Sequence, residues 1–296
     1  MCSHAGHATE ADDGMSGAIQ VELHHGSATD VGLVREVNED AYLADPPVFV
    51  VADGMGGHDR GDIASALVVE EFSRLAADGF DAQRGAEAVA ATLEAVQDRI
   101  LAYDAEQRAA GAPSTFSAGT TAVVALLVEQ EGEPLWLLAN VGDSRIYRVA
   151  ERRLEQVSVD HSLVQELVDT GQISADAAAV HPSRNVITRA LGGSALPGGV
   201  SGEADFFLIP LASAERLLLC SDGVSGMITD DQIAAILAEC DDPRDAADKV
   251  VAAAVAAGGR DNATAVVVDV VGLSHQKPYD SDAQRVSLEQ KLGALP

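Results

Sequence analysis

The chain has 296 residues and a net charge of −28, from 47 acidic against 19 basic side chains. That balance repels a phosphate backbone and an anionic lipid surface, so neither nucleic acid nor membrane is an expected partner. Hydrophobic residues make up 47% and aromatics 4%, enough for one large domain whose core is filled by Ala, Val and Leu.

Residues 1–18 are polar and small, and read as a flexible leader. Weak alternation over 19–26 predicts a first strand, followed by loop over 29–40 and a short strand over 41–43. An apolar run, Val48-Phe49-Val50-Val51-Ala52, predicts a buried strand that ends on Asp53-Gly54-Met55-Gly56-Gly57. Helices follow over 63–77, with Asp62 as N-terminal acid, and over 81–109, where apolar positions recur every third or fourth residue. The period then changes to that of strands, over 120–128, 135–141 and 146–149.

Short helices are expected over 163–168 and 175–179, then a polar loop over 181–202 beside a site. Strands over 205–209 and 217–221, helices over 230–238 and 244–257, and a strand over 263–271 complete the pattern. A polar tail occupies 274–296. Strands come in consecutive runs with helices in pairs between them, which is the α+β order of antiparallel sheets covered by helices. No internal repeat or linker divides 19–273, which is expected to be a single domain.

Cys2, Cys220 and Cys240 form no CxxC pair, which fits a reduced compartment. No basic stretch followed by an apolar one opens the chain. Its apolar runs are far shorter than the roughly 20 residues of a membrane helix. A cytoplasmic monomer is the expectation.

The segment at Asp53 has echoes. Leu217-Leu218-Leu219-Cys220-Ser221-Asp222-Gly223 has the same form, and Asn140-Val141-Gly142-Asp143-Ser144-Arg145 is a variant. Asp261 stands just before the last strand. Asp13-Gly14 and Asp78-Gly79 follow no buried strand and read as plain turns. Together with Asp40, these strand-tethered acids are hard oxygen donors drawn from distant parts of the chain. All-carboxylate coordination suits Mg²⁺ or Mn²⁺ rather than Zn²⁺. A carboxylate shared between two cations gives a two-metal centre that can clamp phosphoryl oxygens. Arg35 offers a guanidinium fork for such a group, although alone it reads as a surface residue.

The ordered set Arg35, Glu39-Asp40-Ala41, Ala52-Asp53-Gly54-Met55-Gly56-Gly57, Ser117-Ala118-Gly119-Thr120-Thr121, Asn140-Val141-Gly142-Asp143-Ser144-Arg145, Ser221-Asp222-Gly223 and Gly259-Arg260-Asp261-Asn262 carries a resemblance. It resembles the bacterial branch of the metal-dependent serine/threonine protein phosphatases of type 2C, the PPM family. The likeness spans 19–271. It implies two packed antiparallel sheets flanked by helix pairs, with metals in a channel between the sheets.

It also implies that Asp53 bridges two ions, the Gly54 carbonyl binds one, and Asp222 and Asp261 complete the other. Asp143, with Asp222, would hold a third ion. Glu39 and Asp40 support the metal waters, and Arg35 takes the substrate phosphate. Asn262 and Thr120 support the ligand loops, and 163–189 corresponds to a variable flap. Phosphorylated proteins are the implied partners. A water activated by Mn²⁺ or Mg²⁺ would attack phosphorus directly, with no Cys or Ser nucleophile.

Some family members carry a histidine where this chain has Met55. His161 and His58 are nearby candidates for the leaving-group proton, and both read better as structural or solvent-exposed. Two other readings share the features: a non-catalytic domain that senses metal or a partner, and a hydrolase of small phosphate esters or nucleotides.

Overall fold

The computed structural model describes residues 19–55, 60–193 and 202–275. The leader, His58, the Gly56-Gly57 pair and nearly all of the polar tail lie outside the described residues.

The first half of the chain supplies β1 (Ile19–Asp30), β2 (Asp40–Asp45), β3 (Val48–Met55), α1 (Gly61–Asp78), α2 (Gly85–Ala109), β4 (Gly119–Thr120), β5 (Ala122–Gln130), β6 (Glu133–Val141) and β7 (Arg145–Ala150). The second supplies β8 (Arg153–Gln156), α3 (Leu163–Asp169), α4 (Ala175–Ala179), β9 (Leu191–Gly192), β10 (Asp205–Pro210), β11 (Arg216–Cys220), α5 (Asp222–Ser225), α6 (Asp230–Glu239), α7 (Pro243–Ala256) and β12 (Ala263–His275).

All strand pairs are antiparallel. One sheet runs β1-β12-β11-β7-β8; the other runs β10-β6-β5-β3-β4-β9, with β2 also paired to β3. The central strands are apolar at nearly every position because both of their faces are covered. Successive side chains point to opposite faces, so Phe49 and Val51 enter the core between the sheets, while Val48, Val50 and Ala52 pack under α1 and α2. Likewise Leu217 and Leu219 face the other sheet, while Leu218 and Cys220 pack toward α5–α7. The fold is α+β: two packed sheets, each with its own helical layer.

Several boundaries differ from the pattern in the sequence. β1 extends to Asp30 and β12 to His275 because the two pair along their whole length, from Ile19↔His275 to Asp30↔Ala263. That pairing takes Ser274 and His275 out of the expected tail. The strand expected from 120 is interrupted at Thr121, whose amide bonds the Asp53 carbonyl at 2.9 Å instead of a ladder partner. Asp81 caps a separate 3-10 turn at Ala82–Arg84, so α2 starts only at Gly85. Asp62 sits in the first turn of α1, paired to Arg60 at 2.9 Å.

Candidate active site

The expected ligand acids gather where β2 and β12 begin and β3, β6 and β11 end. Asp40 and Asp53 are cross-strand partners. Asp143 lies in the β6–β7 turn, Asp222 opens α5, and Asp261 precedes β12; all three line one cavity.

The loops that carry them are tied down by backbone hydrogen bonds. The Asp53 amide donates to Thr121 Oγ1 at 3.0 Å, and its carbonyl accepts from Thr120 Oγ1 at 3.0 Å. The Thr121 hydroxyl also pairs with Ser144 Oγ at 2.7 Å, joining the Asp53 strand to the Asp143 turn. Gly54 donates to the Glu39 carbonyl at 3.1 Å. A β-carbon on Gly54 would lie 2.3 Å from the Gly61 oxygen and 2.5 Å from that of Glu39, so only glycine fits. Asn262 acts as a clamp: its Nδ2 donates to Val31 O and Val37 O, both at 3.0 Å, and its Oδ1 accepts from Glu39 N at 2.9 Å. That clamp shapes the loop bearing Arg35, whose Nη2 donates to Asp261 Oδ2 at 2.7 Å. Thr120 and Asn262 thus both hold the loops around the acids.

The electrostatics are those of crowded, desolvated acids. Burial, opposed by hydrogen bonds from Thr264 and Ser221, pushes the Asp40 carboxyl up to about 7. Burial and the charges of Asp222 and Asp160 push Asp143 up to about 8. Burial, with the charges of Asp40 and Asp222, holds Asp53 well above the usual carboxylate range. Asp222 is raised by burial and by Asp261, and a hydrogen bond with Asp53 opposes this. Glu39 is raised by burial, with Arg35 opposing.

Asp40 Oδ1 and Asp143 Oδ1 are buried without any hydrogen-bond partner. Among the described residues, no three acid, histidine or cysteine side chains close into a ready ligand set for a metal ion. Carboxylates of like charge resist closer approach until a cation separates them. The unpartnered oxygens, the raised carboxyls and the all-oxygen donor set fit hard divalent cations.

Sequence reasoning gave Ser221 no role, yet its hydroxyl donates to Asp40 Oδ2 at 2.8 Å and accepts from Thr264 N at 3.0 Å. The signal was present in Ser221-Asp222-Gly223, but the partner lies 181 positions away. His161 is buried and structural. Its Nδ1 accepts from Gly142 N at 3.1 Å, which leaves Nε2 as the donor to Asp205 at 3.1 Å. Burial lowers its pKa, against the pull of Asp205.

A sequence model described as protein phosphatase 2C matches residues 34–252. The serine/threonine phosphatase stp of Listeria monocytogenes is 35% identical over 259 residues, covering 83% of this chain and 96% of that protein. The crystal structure of the Mycobacterium tuberculosis serine/threonine phosphatase PstP/Ppp superposes with a TM-score of 0.74 at 32% identity. It covers 86% of this chain and 100% of that one. A structure of the PstP catalytic domain in complex with two manganese ions gives a TM-score of 0.72 at 31% identity, with coverage of 86% and 100%. The fold and the clustered acids define a class, the phosphatases built from two sheets and two helical layers. This chain belongs to the protein phosphatase 2C family.

Proposed function

We propose that residues 19–273 form a divalent-metal-dependent phosphatase that hydrolyses phosphoserine and phosphothreonine esters of proteins. The observation that carries this reading is the convergence of Asp40, Asp53, Asp143, Asp222 and Asp261, with buried oxygens lacking partners and Arg35 at the same place.

Asp53 would be shared between two ions, with the Gly54 carbonyl on one and Asp222 and Asp261 on the other. Asp143, with Asp222, would hold a third. Mn²⁺ or Mg²⁺ bound there supplies the acidity that readies a water for in-line attack and a positive clamp for phosphoryl oxygens. Arg35 exchanges its bond to Asp261 for the substrate phosphate, which its fork fits bidentately. Glu39 and Asp40 would accept from waters around the ions, and Ser221 holds Asp40 in orientation.

Neither described cysteine suits nucleophilic attack: both are buried, and burial pushes the Cys220 thiol up to about 12. His161 is an equally poor source of the leaving-group proton. Met55 occupies the position after Asp53-Gly54, and both ring nitrogens of His161 are engaged elsewhere. A water at the ion site would then be the proton donor. Two buried free thiols are consistent with a reducing cytoplasm, and no described helix is long and apolar enough to cross a membrane.

Single turnover of a phosphothreonine peptide in heavy-oxygen water tests the scheme. The label should appear in the released phosphate; a trapped phosphoenzyme refutes direct attack. Failure to hydrolyse any phosphopeptide in Mn²⁺ removes the protein-phosphatase reading.

A further inference from the structure

A cavity of about 580 Å³ opens beside the carboxylates and runs under the flap formed by α3 and α4. Its size lies in the usual range of ligand pockets. Asp143, Asp222 and Asp261 contribute to one part of it, and Val164, Val168 and Met227 give it an apolar wall. Two arginines line it from separate segments: Arg184 from the turn after α4, and Arg260 from the loop before β12.

Four described arginines hold no carboxylate; Arg152 and Arg153 lie exposed at the β7–β8 turn, and Arg184 and Arg260 line this cavity. Eleven described arginines hold a carboxylate within ion-pair distance, as expected where acids outnumber bases so heavily. Among the described residues, the guanidiniums of Arg184 and Arg260 have no ion-pair or hydrogen-bond partner. The acids around the cavity do not answer them. Asp160 is gripped by Arg145 at 2.7 Å, Asp230 accepts from the Tyr147 hydroxyl at 2.9 Å, and Asp261 is engaged by Arg35. Asp143 and Asp222 belong to the proposed ion site. Two unanswered guanidinium forks in one cavity of a strongly acidic protein are a receptor for an anion.

We propose that this cavity is a second anion subsite, in which Arg184 and Arg260 receive an acidic group of the substrate near the phosphoresidue being hydrolysed. The group is a carboxylate or a further phosphate. The inference rests on the protein-phosphatase reading above. Substrates with such a group are selected against the long-range repulsion of the −28 chain, because the local forks outweigh a screened distant field.

The test uses the full chain with Mn²⁺ and three phosphothreonine peptides of equal length. One has neutral flanks, one has glutamates flanking the phosphothreonine, and one carries a second phosphate. The readout is the ratio of kcat/KM for each anionic peptide to that for the neutral one. Taking the ratio within each protein cancels any loss of folded or metal-loaded enzyme.

The parent protein should prefer the anionic peptides by about tenfold, mainly through KM, a size set by charge-assisted hydrogen bonds at a partly exposed site. Arg184→Gln and Arg260→Gln should each reduce the ratio, and the double variant should bring it to about one. Arg260→Glu should turn the preference toward a lysine-flanked peptide. Preference for the glutamate peptide assigns the subsite to acidic side chains. Preference for the doubly phosphorylated peptide alone assigns it to a second phosphate. A parental ratio within twofold of one, or a ratio that survives in the double variant, overturns the subsite and leaves the phosphatase reading standing. No turnover of any peptide overturns both.

Discussion

Ser221 lies between a buried strand and a metal-site acid, and its hydroxyl is committed to Asp40 rather than to capping α5. Ser221→Ala leaves the Thr264 amide without its acceptor and Asp40 Oδ2 without its donor. The expected cost is about 1–3 kcal/mol, read as a lower Tm, together with weaker Mn²⁺ binding in calorimetry. An unchanged Mn²⁺ affinity would place Ser221 outside the site. Arg35 has a separable role. Arg35→Ala should raise KM for a phosphopeptide about thirtyfold, the equivalent of roughly 2 kcal/mol of charge-assisted hydrogen bonding. Mn²⁺ affinity should hold or improve, since Asp261 is freed of its ion pair. Asp53, Asp222 and Asp261 were legible because each acid abuts an apolar strand. Ser221 was not, because a serine before Asp-Gly reads as an ordinary helix start, and its real partner is visible only after folding.

At the scale of elements, the site depends on close backbone approach between segments distant in the chain. A β-carbon on Gly54 meets the oxygens of Gly61 and Glu39, and one on Gly223 would sit 1.8 Å from the Asn262 oxygen. Backbone atoms cannot swing aside as side chains do. Gly54→Ala and Gly223→Ala should therefore each cost at least about 3 kcal/mol, the upper part of the overpacking range. Thermal unfolding measures this, and a Tm within a degree of the parent would contradict the packing described. The strand–acid–glycine order made β3 and β11 readable, whereas other elements left no local trace. β8 has a single aliphatic residue, Leu154, and exists because β7 pairs with it. α5 is one turn, and β4 and β9 are two residues each, below the length at which periodicity carries information. The flap helices were readable, since Ser162 and Ser174 cap them with their own hydroxyls. Their position over the cavity was not, since it is set by the long-range ties from His161 to Gly142 and Asp205.

For the molecule as a whole, the clustered acids make stability depend on pH and on metal together. Asp40 and Asp143 titrate at about 7 and about 8 in the fold, against roughly 3.9 in an unfolded chain. Asp40 faces Ser221, Thr264, Asp222 and Asp261; Asp143 faces Asp222, Asp160 and Arg145. Between those limits the folded state binds more protons than the unfolded one, so stability falls as pH rises. With a chelator present, Tm should therefore drop steadily from about pH 5 to pH 8, the window in which Asp40 and Asp143 lose their folded-state protons. Divalent ions bind only the deprotonated carboxylates, so saturating Mn²⁺ should raise Tm most at pH 8 and flatten or invert the slope. Asp143→Asn removes one of these buried charges. Its chelated form should be more stable than the parent at pH 8 and nearly equal at pH 5, while gaining less from Mn²⁺. A Tm in chelator that climbs with pH across this window would mean that the acids are not desolvated together, and the case for a cation cage at the end of the sheets would fail with it.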